Sequence, residues 1–413
     1  MRHPSCSPGA AYPSSVRVVR RVAAPAAALP AVAALAGTLV LVTGWLPYAD
    51  AVELLRHTGP VLVFVVAITA YAELCAVCGL FDAAAGIAVR ASAGRRLVLS
   101  AWVAALATLC TITLSLDTTA VLLTPVVLAM ARRTGSDPLP LALTVVALAN
   151  TASLLLPVSN LTNLLAAPAF ERAGTSYVAT MALPALAVLA ATIVVLALLH
   201  RRGITGRFTV TASTRPEDLV LLRTAAVTTV GVVTGFVAGA SYAWVAVAGT
   251  LVLGTAILVR RRSLVVPASD LVPWRMVVAV AGLFVVVGGA HAHGLDEVAA
   301  SIAGSGTGLA DLARLAAVGA GSANAINNLP AYLALAPVAV DDAARTAVLL
   351  VAVGAGPLLT PWGSLATLLW WRQVQRHGDD GARPTWRRTL GQGLVLAPVA
   401  VAVGTVTVAL TSR

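Results

Sequence analysis

The sequence predicts an all-α polytopic membrane protein, and three observations carry that prediction. Hydrophobic residues make up 59% of the chain and charged residues 11%, with a mean hydropathy of +0.89, far from the roughly quarter-charged composition of soluble domains. Apolar runs of bilayer length recur from Val22 to the C-terminus; about 20 such residues cross a hydrocarbon core. Two of these runs, about 200 residues apart, are interrupted in the same manner. In the first, ANTASLLLPVSNLTNLLAAP (149–168), Pro157 stands among Asn150, Thr151, Ser153, Ser159, Asn160, Thr162 and Asn163. The second, Val348 to Trp371, breaks at LLTPWGSLAT (358–367). Lipid offers no partner to unwound backbone, so a broken segment at membrane depth must line a cavity or be buried in protein. Paired interrupted spans in two halves of a chain point to the binding site of a secondary transporter.

Charge and motif content exclude several other classes. The net charge is +11 and all 28 basic residues are Arg. They fall in short clusters between apolar runs rather than on one soluble face, which argues against nucleic acid as a partner. Without Lys there is no phosphate-binding loop of the G-x-x-x-x-G-K-[ST] type, so the chain cannot itself hydrolyse ATP by that route. No H-E-x-x-H or G-x-S-x-G motif occurs, which leaves a membrane metalloprotease or serine hydrolase unsupported. No cofactor is implied. Four cysteines, Cys6, Cys75, Cys78 and Cys110, are too few to form a disulfide framework. Cys75 and Cys78 share a helix face, where small apolar packing outweighs a soft-metal thiol pair. His291 and His293 read as a solvated loop pair with no third ligand. Tryptophans such as Trp45, Trp244 and Trp274 fall near span ends, as interfacial anchors do.

In chain order, residues 1–21 form a polar cytoplasmic tail, and Val22–Leu46 is a retained first helix. Pro60–Leu80 is the second span and carries Glu73. A segment at 97–131 is apolar at both ends but broken at SLDTT (115–119), and the broken helix 139–168 follows. Spans are expected near 177–199, 219–240, 242–259 and 273–290, then a polar Gly-rich loop at 291–308. A second apolar segment, 309–340, is interrupted at GSANAINN (321–328). The broken helix 346–371 and a last helix at 389–410 finish the chain. This divides it into a first half at 22–200, a cytoplasmic linker at 201–218 and a second half at 219–413.

The arginines test the layout. With the N-terminus inside, and with 97–131 and 309–340 as re-entrant hairpins, 23 arginines fall on the cytoplasmic side. Only Arg56, Arg172, Arg314, Arg345 and Arg413 fall outside, a strong positive-inside bias for a multi-pass protein of the cell membrane. The first hairpin then opens inward and the second outward. That is the signature of two inverted-topology repeats, each with a re-entrant hairpin and a broken transmembrane helix, giving about nine full crossings plus two hairpins. Two full spans in place of a hairpin preserve the same parity.

Four stretches carry a family resemblance: LDTTAVLLTPVVLAM (116–130), NTASLLLPVSNLTNLLA (150–166), NNLPAYL (327–333) and TPWGSLATLLW (360–370). In these the chain resembles the arsenical pump membrane protein family, the arsenite and antimonite permeases of the ion-transporter superfamily. The resemblance implies that hairpin tips and broken helices meet around substrate at the bilayer midplane. It places Asp117, Thr118, Thr119, Asn327 and Asn328 at the tips. At the breaks it places Ser153, Ser159, Asn160, Asn163, Thr360, Gly363, Ser364 and Thr367. Where family members commonly carry charged residues, this chain has Asn150, Gly354 and Leu358.

Half-helix ends offer N–H groups and carbonyls of opposite partial charge, and hydroxyls and amides add neutral donors and acceptors. Such a site suits a small hydroxyl-bearing solute such as arsenous acid, neutral at pH 7, and equally an oxyanion or a carboxylate. Ser, Thr and Asn in membrane helices also bond neighbouring helices for under about 1 kcal/mol each; a cluster mirrored in both halves exceeds that ordinary use. Asp117 and Glu73 lie in apolar segments, where an ionised acid costs at least about 2.5 kcal/mol, so both are candidate proton or cation carriers. Asp117 could instead cap the hairpin tip, and Glu73 could lie at the membrane boundary. The expected function is efflux of arsenite or antimonite, with proton counterflow across the bilayer. The alternatives are a sodium-coupled carboxylate or inorganic-anion carrier of the same superfamily and a channel subunit driven by an ATPase partner.

Overall fold

The computed structural model describes residues 31–209, 218–261, 272–377 and 386–412, and apart from one backbone bridge every regular element among them is helical. Eight of these helices are long and apolar enough to cross a membrane. The expected first helix is described only from Ala31 to Val42, and the second begins at Tyr48 rather than Pro60, running to Val77 with Pro60 inside it.

One order of elements occurs twice. Tyr48–Val77 is followed by Gly79 in the left-handed region (φ 75°), a short helix Leu80–Ala91, a hairpin, a broken helix and Tyr177–Leu199. Trp274–Ala292 is likewise followed by Gly294 (φ 92°), a short helix Leu295–Ala303, a hairpin, a broken helix and Trp386–Thr411. Two helices, Leu219–Val237 and Tyr242–Arg261, stand between the two runs. The short helices differ from the sequence reading, which assigned 291–308 to a loop. With 12 and 9 residues they have no run of bilayer length. Instead they bury one stripe, Phe81, Ala85 and Ala88 in the first and Ala299 and Ala303 in the second, at helical spacing.

Both hairpins reverse at a residue that is not glycine. The first runs in along Arg96–Thr113, turns at Ser115 (φ 142°) and runs out through Leu116–Thr118, a π turn at Thr119–Leu123 and Thr124–Thr134. The second runs in along Leu309–Ile326, turns at Asn327 (φ 86°) and leaves through Asn328–Leu335. An arginine closes each foot. Arg96 at the start of the first hairpin donates to the carbonyl of Gly135 just past its end, at 2.8 Å. Arg345, 3% exposed, donates to Gly304 and Gly306 before the second hairpin and to Val338 after it. In each hairpin the chain therefore returns to the side from which it entered.

The broken helices cross in opposite senses. The incoming half Pro138–Ala152 packs on the outgoing half Leu365–His377, while Ala343–Ala355 packs on Leu161–Arg172. Trp370 Nε1 donates to Ala142 O at 2.7 Å across one of these contacts. The matching outer helices Tyr177–Leu199 and Trp386–Thr411 also pack on each other. At Gly404 an added Cβ would lie 2.5 Å from Val351 Cγ1 and 2.8 Å from Val188 Cγ2, so three helices converge where only glycine fits. Residues 347–353 form the most deeply buried stretch of the largest apolar cluster, whereas Leu183, Val194, Val227 and Val230 present apolar side chains outward, as lipid requires.

Arg345→Leu removes donors from three half-buried carbonyls, those of Gly304, Gly306 and Val338, each worth about 1–3 kcal/mol if left unpaired away from water. Its thermal unfolding midpoint in detergent is expected to fall by several degrees, whereas replacement of the exposed Arg223 by Leu leaves the midpoint within about a degree.

Candidate functional site

The first broken helix unwinds over eight residues. Pro138–Ala152 gives way to a tight turn at Ser153–Leu155, extended backbone at Leu156 (φ −132°), a second tight turn at Pro157–Ser159 and extended backbone at Asn160 (φ −148°), after which Leu161–Arg172 begins. Pro157 has no N–H, and its ring is incompatible with the helix interior. The second unwinds at Gly356–Leu359 and Thr360 (φ −124°), and Leu365–His377 resumes after Pro361 and Gly363. Both prolines are buried, so neither lies in a continuous, lipid-facing helix.

Loss of helix leaves carbonyls that the protein satisfies with side chains. Asn163 donates to Ser153 O at 2.7 Å and to Leu156 O at 3.4 Å, and the Tyr177 hydroxyl donates to Leu154 O at 2.9 Å. In the second break this work comes from the hairpin. Asn324 donates to Gly356 O and accepts from the Thr360 hydroxyl, both at 2.8 Å, while Trp362 Nε1 donates to Asn324 O at 2.7 Å. Asn327 at the tip donates to Trp362 O at 2.9 Å. Gly363 is compulsory here, since a Cβ would fall 2.8 Å from Pro357 Cα and 2.9 Å from Asn324 Oδ1.

The resumed helices are capped at their N-termini. The Asn160 side chain accepts from Thr162 N at 3.3 Å, and that of Ser364 accepts from Thr367 N at 3.1 Å. At the first tip Ser115 takes the capping role, accepting from Thr118 N at 3.3 Å and donating to the Thr118 hydroxyl at 3.0 Å. Thr119 bonds back to Ser115 O at 2.9 Å and accepts from Thr111 at 3.2 Å. The capping alternative for Asp117 is thus taken by its neighbour.

The predicted residues fall into two groups. Ser153, Ser159, Asn163, Thr360 and Asn327 spend their polar atoms on backbone or on each other: Ser153 donates to Asn150 O at 2.8 Å and Ser159 to Ile112 O at 3.4 Å. The rest of the site is less saturated. Asn150, fully buried, donates through Nδ2 to Val146 O at 2.9 Å and to Thr367 Oγ1 at 3.4 Å across the two halves. Among the described residues its Oδ1 has no partner, nor does Asp117 Oδ1 or Asn160 Nδ2, all three being buried. Leu365–His377, the helix that carries Thr367, also packs on the first hairpin at 116–123. The first tip, the first break and the second break therefore share one helix. Asn328 opens the outgoing arm of the second hairpin and is buried. Glu73 stands one turn before the end of Tyr48–Val77 and is half-buried.

Two positions at which the chain lacks a charge prove to be apolar contacts. An added Cβ at Gly354 would meet Leu154 Cδ2 at 2.9 Å, and Leu358 is buried beside Ala147, Leu196 and Leu396. Of the two expected solvated histidines, His293 is exposed and His291 is half-buried. His291 bonds to Asp296 and, at 3.0 Å, to Leu333 O, and His293 stacks on Trp45 with ring centroids 4.9 Å apart. Among the described residues no cluster of three or more potential ligands could hold a metal ion.

A profile of the citrate transporter family matches residues 21–367. The chain belongs to the citrate transporter family. It is 31% identical over 320 residues to an arsenical pump membrane protein of Yersinia enterocolitica, a match covering 71% of this chain and 73% of that protein. It is 30% identical, with the same coverage, to an arsenical pump membrane protein of Escherichia coli. In three dimensions it is similar to the Alcanivorax borkumensis YdaH transporter, described as having an unusual topology, with a TM-score of 0.59 and 15% identity over 88% of this chain and 87% of that one. The last likeness is one of fold. The chain is a multi-pass membrane transporter.

Asn163→Ala and Asn324→Ala each leave unwound carbonyls without a donor, at a cost of about 1–3 kcal/mol. Both variants are expected to lower the detergent melting point and solute flux together. An unchanged melting point in either variant would show that its break is held by other means.

Proposed function

We propose that the chain exports arsenite or antimonite across the cytoplasmic membrane by alternating access, with protons moving in the opposite direction. One observation carries the reading. The interrupted stretches at 115–119, 150–163, 324–328 and 358–367 contain no cationic side chain and one acid, Asp117, and the unmatched buried atoms comprise acceptors at Asn150 and Asp117 and a donor at Asn160. A neutral trihydroxy acid offers hydroxyls that donate and accept, so it can satisfy both kinds of atom without bringing a charge into the membrane. A tricarboxylate offers acceptors only and would require compensating cations. The name of the curated relatives supports the same solute.

In this reading Asn150, Asn160, Thr118, Thr119, Ser364 and Thr367 line the path of the solute. Asp117 is the carrier of the coupling proton, with Glu73 as a second candidate. Moving one charge through 100 mV supplies about 2.3 kcal/mol, enough to drive a neutral solute outward. The arginine distribution supports an N-terminus on the cytoplasmic side. A sodium-coupled carboxylate or inorganic-anion carrier is the second reading, favoured by the description of the matching family.

Everted membrane vesicles with an acidic lumen are expected to accumulate arsenite and antimonite, and a protonophore is expected to abolish the accumulation. Asp117→Asn should retain exchange of arsenite at equilibrium while losing acceleration by the proton gradient. Sodium-dependent uptake of citrate or phosphate would replace this reading with the second. Accumulation that follows ATP and a partner rather than the gradient would identify a channel subunit.

A further inference from the structure

The connection that follows Tyr177–Leu199 does not run freely to the second half. It docks on the foot of the first hairpin. Phe208 N donates to Gly94 O at 2.8 Å and Arg96 N donates to Gly206 O at 3.1 Å. These bonds make an antiparallel bridge in which Arg95 stands opposite Arg207. The approach is close, since an added Cβ at Gly94 would lie 2.7 Å from Phe208 O. Gly94 itself is left-handed (φ 73°).

Residues directly opposite in a bridge hold their side chains on one side, within reach of each other, and like charges in that arrangement repel. Both arginines are exposed, and neither makes an ion pair with a described residue. Arg201 and Arg202, also exposed, lie on the same connection, and the buried Nε of Arg96 has no partner among the described residues. The acid of this foot, Asp137, accepts from Leu139 N. Among the described residues no carboxylate stands between these two like charges, and an anion placed there would relieve their repulsion.

The surroundings indicate which anion. Arg96 adjoins Leu97, 58% exposed, and Arg201 follows Leu198 and Leu199, 65% and 43% exposed, at the ends of two apolar helices. Basic side chains at the rim of outward apolar surface match a molecule with a phosphate head and acyl chains. We propose that Arg95 and Arg207, with Arg201 and Arg202 beside them, bind the headgroup phosphate of an anionic phospholipid and thereby hold the connection against the first hairpin. Because Arg96 also clasps both ends of that hairpin, the lipid acts on the half-site that carries Asp117.

The test uses the full chain, purified in a neutral detergent, with phosphatidylglycerol or phosphatidylcholine added and binding read by native mass spectrometry and thermal midpoint. Phosphatidylglycerol should bind and raise the midpoint, and phosphatidylcholine should not. The double variant R95Q/R207Q should bind phosphatidylglycerol roughly thirtyfold more weakly, about fivefold per arginine, whereas R95K/R207K should stay within about threefold of the native chain. Both positions are exposed and pair through backbone, so the variants are expected to fold. The same affinity in R95Q/R207Q and the native chain would overturn the proposal. So would an equal response to phosphatidylcholine, an equal shift from inorganic phosphate, or tighter binding of a poly-glutamate peptide, which would indicate a protein partner.

Discussion

Backbone that leaves the helical state inside a bilayer has no water to turn to, and this molecule is arranged around meeting that demand four times. At the two breaks the demand falls on carbonyls, met by Asn163 and Tyr177 in the first and by Asn324 in the second. At the two hairpin feet it falls on the loops that enter and leave the membrane, met by Arg96 and Arg345. An unpaired carbonyl in an apolar interior costs about 1–3 kcal/mol, so each of these side chains protects a conformation that its own segment would not hold.

The polar residues of the interrupted stretches accordingly divide the work. Those that saturate the backbone hold the interrupted segments in place, and among the described residues they leave a few buried atoms without a partner, on Asn150, Asn160 and Asp117. Gly354 and Leu358 are uncharged and are filled by apolar contact with the opposite half or the outer helices.

The two repeats solve one problem by unequal means. In the first, the asparagine that secures the break lies on the broken helix itself. In the second it lies on the hairpin, which is thereby latched to the break through Asn324, Thr360, Trp362 and Asn327. The first hairpin packs on its break but bonds to it through one long hydrogen bond, from Ser159 to Ile112 O at 3.4 Å. It is tied at its foot to the connection between the halves instead.

The sequence by itself determined the class of the protein, the approximate position of most of its long apolar helices, and the sites of both interruptions. A run of 20 apolar residues, a proline without an N–H and a cluster of hydroxyls and amides act through local physics that needs no partner. It did not determine the short helices at 80–91 and 295–303, whose one-sided burial exists only once the hairpins are in place. Nor did it single out Asn324 or Tyr177, which resemble any polar residue of a membrane helix until the carbonyl they serve has been brought across from another segment. The crossing of the broken helices likewise decided which predicted residues keep a free polar atom: Asn150 meets Thr367, 217 positions away, and no rule of spacing connects residues that only the folded, inverted arrangement makes neighbours.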